Sequence, residues 1–391
     1  MIKEHFRGKP KGAHKWTCGH TTMMVLFFAL EIVSIYFWLR GHWWATFTWP
    51  FAGWILMCNA AHEGSHHSAS VNSNFNVFCL ALGAPLFAVS TTWNIQHVVL
   101  HHQETNLVGR DVDLHHNPFA RWHRELQHKI PGGRCAGLHN LFWHSIAFLV
   151  SSFMMTCVHP IKFIFVPFIQ FACKGKLTGE AAYTLDHTAK EFRADRITHG
   201  LQCPVPPHEV AMMSGVGTYI EAKFLMDAPR FLFINIISWA MAIFVFTYGW
   251  FVYGWCFKGF WFTWGPFLQA SIWFMCVTQV SHIQEEAQRP RVQAEQDFFK
   301  QQALSSLDYS DKNRLTTFMT GGLNLQSLHH VCPNVSCCHY VDLYPKFFAI
   351  AEKHNCAPST ASGGWIHALY KHWLYVYRLG QDYDFDVNPE M

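Results

Sequence analysis

Long apolar runs are the feature that most constrains this chain. Residues 21–39 read TTMMVLFFALEIVSIYFWL, with Glu31 as their one charge, and a second run extends from about 43 to 61. Two further apolar segments occupy 231–253 and about 257–280. Each of the four has about the length of a helix that crosses the hydrocarbon core of a bilayer. We therefore predict an all-α integral membrane protein with about four transmembrane helices.

The composition of the whole chain agrees with a membrane class. Half of the 391 residues are hydrophobic and only 14% are charged, whereas charged residues make up about a quarter of an ordinary soluble domain. The net charge of +3 is too small to favour nucleic-acid binding. The thirteen cysteines follow no regular spacing, which favours free thiols over a disulfide framework.

Three histidine clusters lie beside these apolar segments. They occupy residues 62–67 (HEGSHH), 93–102 (WNIQHVVLHH) and 320–330 (TGGLNLQSLHH), and His282 follows the last apolar segment. In the first two clusters, histidines four residues apart share one helical face. Titratable clusters beside lipid are costly unless they are satisfied, and eight or more imidazoles predict a site for two metal ions. Imidazole binds iron, zinc, copper and nickel, so ligand type alone does not choose the metal.

Two shorter or broken apolar segments affect the predicted topology. Residues 75–89 contain Gly83 and Pro85 and predict a re-entrant or interfacial hairpin. Residues 141–173 are broken at Pro160 and Pro167 and could form one span, a two-piece hairpin or an interfacial helix. If all clusters build one site, an even number of crossings separates the second from the third. Because the runs within 231–280 supply two, we expect 141–173 to cross twice or not at all.

The carboxylates near the clusters are few. Glu63 is the one acid inside a cluster, and we expect it to orient an imidazole rather than to act as a ligand or base. Asp111 and Asp113 have the same interpretation. A membrane-fed site of neutral nitrogen ligands offers no obvious nucleophile, which favours redox-active iron and oxygen acting on an apolar substrate. A histidine-rich metal transporter, the rival from another class, would need more polar residues within its spans.

The motifs resemble those of the membrane fatty acid desaturases, most of all the front-end branch that includes the delta-5 and delta-6 enzymes. The family's first box matches residues 62–66, and its H-x-x-x-H-H box after a tryptophan matches residues 97–102. The front-end third box, Q-x-x-H-H after T-G-G-L-N, matches residues 320–330. His282 matches a histidine that precedes this box.

The resemblance implies two iron ions, with O2 as co-substrate, and a set of metal-binding residues. These are His62, His66, His97, His101, His102, His282, His329 and His330, with Gln326 binding directly or through water. His67 could replace His66, because a related branch spaces its first box one residue wider. The implied reaction is oxygen-dependent desaturation of a fatty acyl chain carried by CoA, a phospholipid or a sphingolipid. A hydroxylase that uses the same two irons is the alternative.

The remaining expectations concern the parts of the chain around the clusters. We predict a cytosolic tail over 1–20, a desaturase domain over 21–350 with a cytosolic helical cap that carries the metals, and a cytosolic tail over 351–391. Front-end enzymes commonly carry a fused cytochrome b5 domain, which twenty polar residues cannot hold. We therefore expect a separate electron donor such as cytochrome b5 or ferredoxin, and a location in the endoplasmic reticulum membrane.

Overall fold

The computed structural model describes residues 1–87, 90–102, 105–107, 111–115, 120–124, 134–161, 229–288 and 297–381. Within these residues the fold is mostly helical. The α-helices are α1 (Ile2–His5), α2 (Cys18–Leu39), α3 (Ala45–Leu56), α4 (His62–Ser65), α5 (Ser73–Ala81), α6 (Ser90–Trp93), α7 (Arg134–Phe153), α8 (Pro229–Tyr253), α9 (Phe257–His282), α10 (Phe298–Leu304), α11 (Arg314–Thr320), α12 (Gln326–Val331), α13 (Tyr340–Lys353) and α14 (Gly364–Gly380).

Other short elements connect these helices. The π-helical segments are Met57–Ala61, Asn94–His101 and Met154–Val158, and the 3-10 turns are Val112–His115, Glu286–Gln288, Leu323–Leu325 and Cys337–His339. Two strands, β1 (Leu307–Tyr309) and β2 (Ser359–Ala361), pair in parallel. They add a small β-element to a fold that the sequence predicted to be purely helical.

Three helices in the described ranges are long and apolar enough to cross a membrane: Cys18–Leu39, Cys135–Val158 and Asn235–Tyr253. The first and third coincide with predicted spans, and the second falls in the segment whose topology the sequence left open. Residues 43–61 instead form the twelve-residue α3 and the π-helical segment after it. The run 257–280 lies within α9, which is helical as expected but also carries Lys258, Gln269 and Gln279.

The long helices bury one set of apolar side chains and expose another. α9 packs against α3, α7 and α8, and α2 packs against α3. Trp38 and Trp49 are almost completely buried between these helices, while Leu26 and Phe244 are exposed. Helices that are apolar on all faces suit a lipid environment. Glu31 is buried, and its Oε1 accepts a hydrogen bond from Trp49 Nε1 at 3.3 Å.

The two shorter or broken apolar segments, 75–89 and 141–173, differ in the helices that they form. The first contains a short helix and the second contains part of a long one. α5 has nine residues and would extend only about 14 Å, less than half of a bilayer core; residues 88–89 lie outside the described ranges. α7 continues through its π-helical segment to residue 161, and residues 162–173 also lie outside. The even-crossing rule for 141–173 therefore stays a prediction.

Both segments that the sequence predicted as tails pack against the rest of the protein. The carbonyl of His14 accepts a hydrogen bond from Ser336 N at 2.9 Å, and Trp16 N donates to the carbonyl of Ala69 at 3.2 Å. At the other end, β2 pairs with β1 and α14 packs along α7 and α9. The reason is the amphipathic pattern of α14, which buries Ala368 and Tyr375 on one face. Residues 382–391 lie outside the described part of the chain.

Candidate metal centre

The first histidine cluster lies at the end of a continuous helical run. α3 passes through the π-helical segment into α4, which carries His62. Asn59 anchors this run, because its amide donates to the carbonyl of Phe318 at 2.8 Å. The helix ends at His66, and His67 has a φ of 54° and an exposed side chain. The structure therefore turns His66 inward with His62 and turns His67 outward.

The second cluster lies on the π-helical segment Asn94–His101 and on His102, which follows it. Bonds from residue i to i+5 widen a turn to about four and a half residues. Viewed down the helix axis, the side chains four and five residues after His97 therefore point to either side of the direction of the His97 side chain. In an α-helix, the side chain five residues after His97 would point well away from that direction. This winding is what lets His97, His101 and His102 converge from one turn of chain.

The position of the third cluster depends on the two glycines that precede its histidines. Gly321 and Gly322 have φ values of 61° and 83°, which favour glycine. A Cβ on Gly321 would lie 2.2 Å from the carbonyl oxygen of Cys58. The TGGLN sequence is thus the turn by which α12 comes close to the π-helical segment after α3. This approach brings His329 and His330 to the histidines of the other clusters.

The histidines of the three clusters form two buried groups. In each group the nitrogen atoms that could bind a metal lie within 4.8 Å of one another. The five-histidine group consists of His62, His66, His97, His102 and His329, and the three-histidine group consists of His101, His282 and His330. The second and third clusters therefore each contribute to both groups, and His67 belongs to neither.

The spacing of the nitrogen atoms suits a shared cation. Nε2 of His62 lies 3.0 Å from Nε2 of His97, and Nε2 of His329 lies 3.0 Å from Nε2 of His102. Two nitrogens that are each about 2.1 Å from one metal at a right angle lie about 3.0 Å apart. His66 is buried, and its Nε2 has no hydrogen-bond partner among the described residues. These imidazoles have the spacing of metal ligands.

The outer ring nitrogens of the three-histidine group have acceptors. Nδ1 of His282 lies 3.0 Å from the carbonyl of Ser305, and Nδ1 of His330 lies 2.8 Å from Oε1 of Gln302. Each Nδ1 therefore carries the proton, and each Nε2 presents a lone pair. The two Nε2 atoms are 3.2 Å apart. A bound cation or a shared hydrogen-bond donor can satisfy two lone pairs at this distance.

Gln326 completes this second group. Its amide nitrogen lies 2.9 Å from Nε2 of His282 and 3.0 Å from Nε2 of His330. An amide nitrogen and oxygen are nearly the same in shape, so the position also suits a carbonyl oxygen. Its Oε1 is buried and has no hydrogen-bond partner in the ranges that the structure describes. The amide thus has an oxygen available for a metal.

Two aspartates lie behind His101. Oδ2 of Asp111 lies 3.0 Å from Nδ1 of His101, and Oδ2 of Asp113 lies 3.5 Å from it. Burial disfavours the charged form of His101, but the two carboxylates outweigh it and raise the pKa of His101 to about 9. In the five-histidine group the dominant effect is burial, which lowers the pKa of His97, His102 and His329 well below the usual value of 6.5.

The sequence predicted that Glu63 would orient an imidazole, but the hydrogen bonds of its carboxylate are made with other groups. Its Oε2 accepts hydrogen bonds from Trp16 Nε1 and, at 3.0 Å, from Ser336 Oγ, and its Oε1 accepts from the backbone N–H of Cys337. The imidazole it approaches is that of His20, at 3.9 Å, which belongs to neither group. The carboxylate therefore connects the first cluster to the segment after the third, because its helix turns it away from the five-histidine group.

Several contacts at the site had no signal in the sequence. Gln302 on α10 accepts from His330, and the hydroxyl of Tyr340 lies 3.3 Å from Nδ1 of His329. The carbonyl of Ser305 could not be found from residue type at all, since every residue has one. Tyr340 follows the third cluster in the sequence, but Gln302 belongs to no motif.

A largely apolar cavity of about 250 Å³ adjoins both groups. Histidines of each group line it, among them His62 and His101. The rest of its wall comes mainly from α3, α6, α7, α9 and the π-helical segments after α3 and α7. It is rich in large apolar side chains: Trp54, Met57, Trp93, Trp143, Met155 and Phe274. A cavity of this kind accommodates an apolar chain beside polar reacting groups.

Comparisons with known proteins give consistent matches to one family. The family model described as fatty acid desaturase matches residues 41–180 and 209–361. An acyl-lipid omega-13 desaturase of Chlamydomonas reinhardtii is 29% identical over 94% of this chain and 69% of that protein. Delta(5) fatty acid desaturase A of Dictyostelium discoideum is 22% identical over 76% of this chain and 54% of that protein. An sn-1 linoleoyl-lipid 6-desaturase of Arthrospira platensis is 21% identical over 81% of this chain and 72% of that protein.

Proposed function

Because the chain belongs to the fatty acid desaturase family and is a fatty acid desaturase, we propose that it acts through two iron ions held by the two histidine groups. In the proposed reaction, two adjacent methylenes of an acyl chain lose two hydrogens. O2, two electrons and two protons from outside the substrate complete the balance, giving one double bond and two waters. The observation that supports this most is the convergence of the described histidines into two separate groups.

The donor set favours iron over zinc. Zinc in proteins almost always takes four ligands, whereas the five-histidine group offers five nitrogens within 4.8 Å of one another. Three imidazoles and the amide of Gln326 surround the second position. Imidazole nitrogens suit iron, and bound iron would supply the activation of O2. Among the described residues, neither histidine group includes a carboxylate, which distinguishes the site from a carboxylate-rich di-metal centre.

The residues around the groups hold the imidazoles in one tautomer. Asp111, Gln302 and the Ser305 carbonyl accept the protons of Nδ1, which leaves Nε2 directed at the metal position. Such outer partners fix ring orientation and raise the basicity of a metal-binding histidine. The carboxylate of Asp111 also offsets the positive charge that a metal brings to His101.

The cavity beside the groups is the proposed place of the acyl chain. Its apolar wall would hold the chain straight and exclude water from the reacting methylenes. α7 forms part of this wall and exposes Leu138, Phe142 and Leu149 on its outer face. We propose that an acyl chain enters from the lipid beside α7.

The substrate is proposed to be a membrane lipid that receives a front-end double bond. The similar proteins named above are acyl-lipid, delta-5 and 6-desaturases, and the Q-x-x-H-H box at residues 326–330 is of the front-end type. We further propose about four spans, with the metal centre in a cap on the cytosolic side of the endoplasmic reticulum membrane. The exposed basic residues before α2 suit that side.

Expression in yeast fed with a panel of fatty acids tests the reaction. The expected result is a new double bond, located by mass spectrometry, together with about two irons per purified chain. His66→Ala should abolish the product, while the neighbouring His67→Ala should retain it, because His67 faces outward. A hydroxylated product without a new double bond would establish the hydroxylase alternative. Zinc bound in place of iron, without desaturation, would overturn the proposal.

A further inference from the structure

We propose that residues 1–11, together with Lys346, form a docking surface for a small acidic protein that carries one electron at a time. The inference rests on the proposed function, because that reaction requires two electrons from outside the substrate. It adds where the partner binds and how its electrons reach the metal centre. We refer to residues 1–11 as the basic segment.

The exposed face of the basic segment is strongly cationic. Lys3, Arg7, Lys9 and Lys11 are all exposed, and Glu4 is the one acid among the eleven residues. Lys346 on α13 is exposed and lies near the His5 ring, as does the exposed carboxylate of Asp342, which pairs with Arg314. With Lys346 included, five exposed cations stand against two exposed acids, Glu4 and Asp342, so this surface has a net positive charge. A surface of one sign attracts a partner of opposite sign and orients it before contact.

The other face of the basic segment is apolar and packs on the metal-binding region. Met1, Ile2 and Phe6 pack against the buried cluster that contains Leu325 and Leu328 of the third histidine cluster. This packing holds the basic segment against the region that contains α12 and α13. One side of the basic segment therefore packs on the rest of this protein, and the other side faces outward.

Hydrogen bonds just after the basic segment hold it in this position. Lys15 Nζ donates to the carbonyls of His67 and Asn334, at 2.7 Å and 3.0 Å. Trp16 donates to Glu63. Residues 15–16 are thus attached both to the first cluster and to the loop after the third. The chain before α2 is therefore held next to the first and third histidine clusters.

A short series of aromatic side chains leads from this surface to the five-histidine group. The ring of Phe6 lies 5.1 Å from the ring of His339, edge to face. His339 is followed in the chain by Tyr340, whose hydroxyl lies 3.3 Å from Nδ1 of His329. An electron delivered at the basic segment therefore meets a metal-binding histidine after three side chains. Two such deliveries, with two protons from water, supply each turnover.

An anionic membrane surface is the competing partner for the same charges. Basic residues next to a transmembrane helix commonly lie near lipid headgroups. The observations favour a protein partner, because the basic segment packs over α12 and its aromatic series ends at His329. A segment that served only to hold α2 at the membrane would need neither contact.

Stopped-flow reduction tests the surface, with the soluble haem domain of cytochrome b5 as the acidic one-electron probe. Lys9→Glu/Lys11→Glu is compared with the matched pair Arg40→Glu/Lys258→Glu, which makes the same charge change at the opposite end of α2. We expect the second-order rate constant of the first variant to fall at least about tenfold at low salt. Its dependence on salt should also flatten, while the control pair stays within about twofold of the parent. Equal loss in both pairs, or in neither, overturns the proposal.

Two further measurements separate the possible failures. Single-turnover desaturation driven by dithionite should be the same in the parent and both variants, because it bypasses docking. Absence of product in the dithionite-driven parent would overturn the proposed function itself. Amine labelling of Lys9 and Lys11 in nanodiscs of phosphatidylcholine, with and without phosphatidylserine, tests the lipid alternative. If phosphatidylserine protects both lysines and Lys9→Glu/Lys11→Glu keeps its rate of reduction, the surface is a lipid site and the docking proposal is wrong.

Discussion

The five-histidine group and the three-histidine group are neighbours with different surroundings. The rings of His102 and His330, one from each group, stack at 4.2 Å. In the five-histidine group, His97 stacks on Trp93 and the nearby Nδ1 contact of His329 is to a neutral hydroxyl. In the three-histidine group, His101 lies against two carboxylates. Histidines from the same motifs are therefore placed in an apolar environment on one side and in an anionic one on the other.

The difference shows that adjacent histidines in the sequence can have separate roles. His329 and His330 follow one another in α12, yet their side chains leave the helix about 100° apart and enter different groups. The two metal positions should therefore differ in their affinity and in the charge they tolerate. Outer partners alter these properties as strongly as some ligands do.

Replacing the two adjacent histidines should produce the largest effect. His329→Ala removes a nitrogen from the five-histidine group and His330→Ala removes one from the three-histidine group. We expect each variant to lose more than about a hundredfold in activity, since loss of an outer partner alone already costs about 10–100-fold. Iron should fall from about two towards one per chain, with different Mössbauer signals lost in each case. Loss of the same signal in both variants would show that the two groups are not separate sites.

Replacing the aspartates should have an intermediate effect confined to one group. Asp111→Asn removes the charge that is 3.0 Å from His101 and whose side chain is 1% exposed. We expect a loss of about 10–100-fold in activity or in metal affinity. Asp113→Asn is the matched control, at 3.5 Å and with a side chain that is 22% exposed, and it should cost several-fold less. A larger loss in Asp113→Asn, or loss of iron from the five-histidine group, contradicts this assignment.

The smallest effect is the dependence of stability on pH in metal-free protein. Burial lowers the pKa of His97, His102 and His329, so below pH 6.5 the unfolded chain takes up protons that the folded chain does not. Stability should then fall as the pH falls. The pKa of His101 is raised to about 9, so its contribution is complete below pH 6.5 and is lost as the pH rises through 9.

Thermal unfolding of chelator-treated protein between pH 5 and pH 10 measures both contributions. His97→Gln should weaken the fall in midpoint temperature on the acid side, and Asp111→Asn should weaken the fall on the alkaline side. If Asp111→Asn leaves the alkaline side unchanged, the carboxylate does not act on His101 in solution.

The residues of the two histidine groups could be named as candidate ligands from the sequence, because metal binding depends on residue type and local spacing. Imidazoles repeated at four-residue intervals beside apolar runs pointed to a metal site, and the resemblance added His282 and Gln326. The choice between His66 and His67 was not predictable. It depends on where α4 ends, and helix ends are set by local backbone geometry that spacing does not reveal.

The direction of the Glu63 side chain and the packing of the two chain ends could not be predicted from the sequence. Glu63 follows His62 in the sequence, which indicated a role beside the histidines, but its carboxylate accepts hydrogen bonds from Trp16 and from Ser336 and Cys337, which are 273 and 274 positions away. Residues 1–20 are polar and basic, which indicates exposure. Their few apolar side chains, such as Phe6, nevertheless find a partner surface that exists only after α12 and α13 have folded.

By itself, the sequence determined the membrane class, the family and the residue types of the two histidine groups, because each follows from composition or from spacing along the chain. Only the tertiary structure decided how the histidines divide into two groups and which carboxylate faces which ring. Those outcomes depend on contacts such as the one between Gly321 and the carbonyl of Cys58. Such contacts join segments that are hundreds of residues apart, and no local pattern records them.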